Sequence, residues 1–208
     1  MIKAVIFDID GVLLDSFEAN LIFFQNLMNK SGYKPPTRQE FQTMFHLSLV
    51  ETIKILTKST SEEEIKKIYD LGESSEIGYH TELIKMPEGS EEILKSLSKN
   101  YTLAIVTGRT KSNVYEVPEL AKLRNYFKIA ISYQDTENHK PHPEPLLLAA
   151  QKLNIQPEET VYIGDVENDI KAARAAGMKI IIYSKNKIGD ADAYASSFIE
   201  LPELIKSL

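Results

Sequence analysis

Two aspartates one residue apart, Asp8 and Asp10 in the segment FDIDGVLLDS (residues 7–16), are the first side chains that could do chemistry. In an extended strand side chains alternate, so both carboxylates point to one side while Phe7 and Ile9 face the other. Two carboxylates at the carboxyl end of a buried strand repel one another unless a cation joins them. A hard divalent cation is the economical partner, and oxygen ligands beside a phosphate-bearing molecule favour Mg²⁺. A bare D-x-D also fits a strand ending in a solvated acidic turn. The glycine at position 11 and the further acid Asp15 set this segment apart.

Three later segments carry candidate groups of the same kind. AIVTGRT (104–110) closes an apolar run with Thr107 and Gly108, whose hydroxyl and turn N–H groups can hold phosphate oxygens. Strand-Thr-Gly is also an ordinary turn, and Arg109 beside it reads as a solvated charge. In HKPHPEP (139–145) the prolines stiffen the backbone around Lys140, which can then be aimed as a fixed point charge. A surface lysine before a helix start is the plainer alternative, and His139 and His142 read as structural or solvent-facing. VYIGDVENDIKAARAAG (161–177) sets Asp165 at the end of another apolar run, with Asp169 one helical turn later. Both can face one metal, one directly and one through water, although an acid at Asp169 also suits a helix dipole without any metal. Alanines 172, 173, 175 and 176 let that helix approach a sheet closely, and Gly177 is placed to end it.

These groups need strands to carry them. Runs at Ala4–Ile9, Thr102–Val106, Ile129–Ser132, Val161–Ile163 and Lys179–Tyr183 are rich in Ile and Val with little polar alternation, as in strands covered on both faces. Helical patterns such as Pro143–Leu153 and Asn168–Ala176 separate the later ones, which predicts βαβ units and an α/β fold with a doubly wound parallel sheet. A weaker apolar triplet near Phe198 predicts a sixth, edge strand. Between residues 9 and 102 lies far more chain than one crossover helix needs. There Ser16–Lys30 has helical spacing with Ser16 as N-cap, Thr37 caps a second helix, and Ser61–Glu64 resembles a capping box opening a helix toward Tyr79. The expected organisation is an α/β core of residues 1–14 and 84–208, with a helical cap domain, 15–83, inserted into it.

Composition bounds the function. The chain has 208 residues, 43% hydrophobic and 26% charged, with a net charge of -6 and no cysteine. A pI near 5.4 argues against nucleic acid or anionic membrane as partner, because both call for basic patches. An anionic substrate must then be drawn in by local positive charge. No disulfide or thiolate metal site is possible, and no run approaches the roughly 20 apolar residues of a membrane span. The expected location is the cytoplasm.

The four segments, in this order and each at a strand end, resemble the haloacid dehalogenase superfamily over nearly the whole chain, with a Rossmann-like core and a cap at the family's first insertion point. DGVLLDS, KPHPEP and GDVENDIKAARAAG are most similar to the branch of phosphoglycolate phosphatases, small pyrophosphatases and β-phosphoglucomutase. The resemblance implies a phosphatase acting on a small phosphorylated metabolite. Asp8 would be the nucleophile that forms an aspartyl-phosphate, and Asp10 the acid and base. Mg²⁺ would be held by Asp8, Asp165 and the backbone carbonyl of Asp10, with Asp169 behind them. Thr107, Gly108 and Lys140 would hold phosphoryl oxygens. Members acting on haloacids lack the second aspartate, so Asp10 speaks against dehalogenation. A phosphomutase is the alternative, although β-phosphoglucomutase carries a histidine where this chain has Asn20. A silent phosphate sensor is a third reading, but such proteins lose the nucleophile or metal acids, which are intact here. His46, in a cap loop where relatives often carry glycine, reads as a packing or surface residue. The expected state is a monomer or homodimer.

Overall fold

The computed structural model describes all residues from Met1 to Leu208. In chain order the elements are β1 (Ala4–Phe7), α1 (Phe17–Lys30), α2 (Arg38–Gln42), α3 (Leu49–Thr57), α4 (Glu62–Gly72), α5 (Ser90–Leu97) and β2 (Thr102–Val106). There follow α6 (Pro118–Lys122), β3 (Phe127–Ile131), α7 (Glu144–Leu153), β4 (Thr160–Gly164), α8 (Glu167–Ala176), β5 (Lys179–Tyr183), β6 (Ala193–Ala195) and α9 (Leu201–Ser207). Two units emerge: an α/β unit of residues 1–15 and 86–208, and a helical unit of residues 16–85. No helix is long and apolar enough to cross a membrane.

The six strands form one sheet in the order β3-β2-β1-β4-β5-β6, and every pair is parallel. From β1 the chain builds outward through β2 to β3, then returns to the other side of β1 with β4. In open sheets of this kind, ligands sit beyond the carboxyl ends of the strands where the order reverses. The register brings those ends level, since Phe7 pairs with both Ile105 of β2 and Ile163 of β4. The residues that follow β1, β2 and β4 therefore share one edge.

Alternation along β1 sorts the core into two layers. Ile6, with Tyr162, Ala104 and Ile180 of neighbouring strands, packs under Leu146 and Ala149 of α7 and Ala172, Ala173 and Ala176 of α8. The small α8 residues allow close approach to the sheet, and Gly177 ends the helix in the left-handed region. On the other face Phe7 stacks on Phe198 and meets Phe127 edge-on, both at 6.2 Å between ring centres.

This last packing corrects one expectation. The apolar triplet at Phe198 is a single 3₁₀ turn, and the edge strand is Ala193–Ala195 instead. Phe198 fills a pocket against Phe7 and Tyr183, which a strand's alternation would not require. The strand Ala-Tyr-Ala is too short and too weakly apolar to stand out between Asp192 and Ser196. The first strand also stops at Phe7 rather than Ile9, because the chain turns into the 8–14 loop, where the N–H of Ile9 donates to Asp8 Oδ1.

In the helical unit, Phe17, Phe24, Phe41 and Phe45 cluster at 5.2–6.1 Å. Thr37 and Ser48 each close a capping box with Glu40 and Glu51. Two expectations are corrected here. Ser16 stands at the N-cap of α1, yet its hydroxyl caps no first-turn N–H and instead accepts from Asn20 Nδ2 at 3.2 Å. Ser61 caps α4, but the Glu64 carboxylate accepts from Ser59 and Tyr33 rather than from the N-cap backbone. That helix ends at Gly72, short of Tyr79, whose hydroxyl donates to Asn20 Oδ1.

Phe198→Ala should cost roughly 3–5 kcal/mol, the usual penalty for emptying a buried aromatic site, read from urea unfolding. A loss below about 1 kcal/mol would mean that the 198–200 turn does not anchor this face of the sheet.

Candidate active site

One ammonium organises the sheet edge. Lys140 Nζ donates to Asp8 Oδ2 at 2.6 Å, to Asp169 Oδ1 at 2.7 Å and to the Tyr162 hydroxyl at 2.8 Å. Asp8 follows β1 directly, its N–H donating to the Ile163 carbonyl. Asp169 lies in the first turn of α8 and is fully buried. Its Oδ1 accepts from Lys140 and lies 3.3 Å from the Tyr162 hydroxyl, and its Oδ2 accepts the N–H groups of Asp165 and Val166. Lys140 precedes Pro141 in a cis peptide bond, and α7 begins at Glu144.

Asp165 completes the group. Oxygen atoms from Asp8, Asp165 and Asp169 lie within 4.8 Å of one another. Unlike Asp169, Asp165 has no hydrogen-bond donor on its carboxylate; only its N–H is engaged. Two glycines make the convergence possible. A Cβ on Gly11, at φ +80°, would overlap the Asp165 carboxylate, and one on Gly164 would overlap the side chain of Asp169.

The electrostatics follow from three acids facing one base. Burial pushes the Asp8 carboxyl up to about 7, against the pull of Lys140 and with the push of Asp169. Burial, then Asp169 and Asp8, hold Asp165 well above the ordinary carboxylate range. Burial works against the Lys140 charge, but Asp169 and Asp8 outweigh it and raise its pKa. The Tyr162 phenol is driven up by burial and by Asp169 and Asp8, so it stays protonated. An all-oxygen set with surplus negative charge and one carboxylate lacking donors fits a hard divalent cation.

The expected phosphate-holding residues also converge. Thr107, Gly108 and Lys140 line one small cleft together with Ser132, Thr136 and His139. The Thr107 hydroxyl accepts the N–H of Arg109, while the Gly108 amide has no partner in the fold and a Cβ there would meet only open space. His139 stacks on Tyr133 at 3.9 Å, and exposed His142 accepts the N–H of Glu144.

Two residues escaped the sequence reading. Arg109 is not a solvated charge: its side chain is 8% exposed, and Nε and Nη2 grip the two oxygens of Asp10 at 2.8 and 2.7 Å. Its Nη1 donates to the Asn113 carbonyl at 3.3 Å, so the loop after β2 is stapled to the acid that follows β1. Tyr162, fully buried in β4, is the other. The available signal was a phenol inside an apolar strand, which must find a polar partner.

A family model described as haloacid dehalogenase-like hydrolase matches residues 5–183. A pyrophosphatase, PpaX, of Bacillus mycoides is 30% identical over 201 residues, covering 95% of this chain and 92% of its own. A solved hydrolase of the haloacid dehalogenase superfamily, subfamily IA, from Geobacter sulfurreducens superposes with a TM-score of 0.73. It is 31% identical, with 98% and 96% of the two chains covered. A β-phosphoglucomutase from Clostridium difficile shares the fold at a TM-score of 0.78 and 22% identity, covering 100% of this chain and 98% of its own.

The raised acids give a signed expectation. Asp8 and Asp165 bind protons more readily in the fold than in the unfolded chain, where carboxyls titrate near pH 4. Their contribution to metal-free stability is full below about pH 4 and is lost as pH rises toward and through about 7. Added Mg²⁺ should therefore raise the melting temperature more at about pH 8 than at about pH 5.5. Equal shifts at both values, or none at either, would contradict a cation site at these acids.

Proposed function

Because this chain belongs to the haloacid dehalogenase-like hydrolases, we propose that it is a Mg²⁺-dependent phosphatase that cleaves a small phosphate monoester or pyrophosphate through an aspartyl-phosphate on Asp8. The observation that carries this reading is the meeting of Asp8, Asp165 and Asp169 with Lys140 at one sheet edge. Bound Mg²⁺, held by Asp8, Asp165 and the Asp10 backbone carbonyl, would neutralise charge on the phosphoryl oxygens. Phosphoryl transfer asks little covalent chemistry of a protein beyond in-line positioning and charge compensation.

The chain's own groups then have distinct tasks. An Asp8 carboxylate oxygen attacks phosphorus as the bond from phosphorus to the leaving oxygen breaks, and Asp10, protonated once it leaves its two-point contact with Arg109, gives that oxygen its proton. In the second half Asp10 takes a proton from water, which attacks the same phosphorus. Phosphate departs and Asp8 is restored. The Thr107 hydroxyl and the Gly108 amide hold the phosphoryl oxygens, and Lys140, whose ammonium lies against Asp8, compensates their charge. Asp169 keeps Lys140 and the 165–166 backbone in place. The helical unit is the candidate source of substrate-selecting side chains.

The relative named as a pyrophosphatase makes pyrophosphate the first substrate to try, followed by phosphoglycolate and sugar phosphates. A mutase is the second reading. It predicts a phosphoenzyme that waits for a second acceptor, and Asn20, in place of that enzyme's histidine, weighs against it.

Phosphate release should require both Mg²⁺ and Asp8. Asp8→Asn should fall to background with the fold retained, and Lys140→Ala should lose roughly 10²-fold or more in kcat. Full activity in Asp8→Asn would remove the nucleophile assignment. Dependence on a bisphosphate primer with little free phosphate would favour the mutase.

A further inference from the structure

We infer that Tyr162 is a positioning residue, whose buried hydroxyl fixes the direction in which Lys140 presents its charge to the transferring phosphoryl group. This rests on the phosphatase reading above. An ammonium has three N–H donors in fixed tetrahedral directions. In Lys140 they point at Asp8 Oδ2, Asp169 Oδ1 and the Tyr162 hydroxyl, all within 2.6–2.8 Å. Only one of these acceptors, Asp8, belongs to the reacting centre.

The other two are scaffold. Asp169 is fully buried and held through Oδ2 by two backbone N–H groups. Tyr162 is fully buried in β4, which is paired on both sides by β1 and β5. Its oxygen accepts from Lys140 and lies 3.3 Å from Asp169 Oδ1 and 3.5 Å from the Val106 carbonyl, so its one proton has a partner as well. Two fixed acceptors define the direction of the third donor, and that donor faces Asp8. With Asp169 alone, the ammonium can turn about a single contact. The aromatic ring by itself does not set this direction. It lies 5.4 Å from Nζ and would do the same as phenylalanine. The hydroxyl is the part that the core does not need.

Tyr162→Phe therefore isolates the hydroxyl while keeping the ring that fills the core. With Mg²⁺ and the best substrate of the panel, at a temperature where circular dichroism finds the variants folded, kcat should drop about tenfold, the scale of one lost hydrogen bond. Inhibition by orthophosphate should weaken several-fold in parallel. In a Lys140→Met background the same change should have no further effect, because the residue acts only through that ammonium. A Tyr162→Phe enzyme equal to wild type would overturn the assignment, as would a loss repeated in full on Lys140→Met, the mark of a purely structural role. Wild-type protein that turns over no phosphate compound would overturn the phosphatase reading and this one with it. An active wild type with an unaffected variant overturns this one alone.

Discussion

Gathering like charges inside a protein is the constraint from which this molecule's architecture follows. Three aspartates from two loops and one helix meet at the carboxyl edge of a parallel sheet, with Lys140 as the ammonium that touches two of them. Burial alone would neutralise such acids, as the upward displacement of Asp8 and Asp165 records. They are tolerated because each negative group is given a fixed environment. Asp169 accepts from backbone amides and from Lys140, and Asp8 shares the same ammonium. Asp165 is the exception, held close without donors, which leaves the cluster with surplus negative charge that fits a hard divalent cation.

The fold serves this cluster through distances that side chains cannot adjust. The level register of β1 with β2 and β4 sets where the loops begin. Glycine at 11 and 164 then removes the Cβ atoms that would hold the acids apart. The second acid of the D-x-D pair is handled differently: Arg109 grips Asp10 from the loop that also carries Thr107 and Gly108. The loops that follow β1 and β2 are thereby joined at one edge, an arrangement that would suit a reaction governed by alignment.

Much of this was legible in the sequence, for reasons that differ by element. Buried parallel strands must be continuously apolar, so five of the six announced themselves, and the acids that interrupted two of them stood out. Ala193–Ala195 did not, because a three-residue edge strand carries too little apolar signal. Phe198 misled because a buried aromatic can plug a turn as readily as a strand. Capping side chains were legible only in part. Ser16 and Glu64 have the right identities at the right spacing, but Ser16 is engaged by the Asn20 amide one turn later and Glu64 by Tyr33, 31 residues away. Arg109 and Tyr162 were missed on the same ground, since their partners lie 99 and 22 residues away in sequence.

The central claim is that Asp8 carries phosphate covalently during turnover. The direct measurement is acid quenching of the enzyme during steady-state turnover with Mg²⁺ and its best substrate, followed by mass spectrometry of the amino-terminal peptide. The account predicts a phosphoryl group on Asp8 that is absent without substrate. Turnover with an unmodified Asp8 peptide under every quench condition, or a phosphoryl group on another residue, would contradict it.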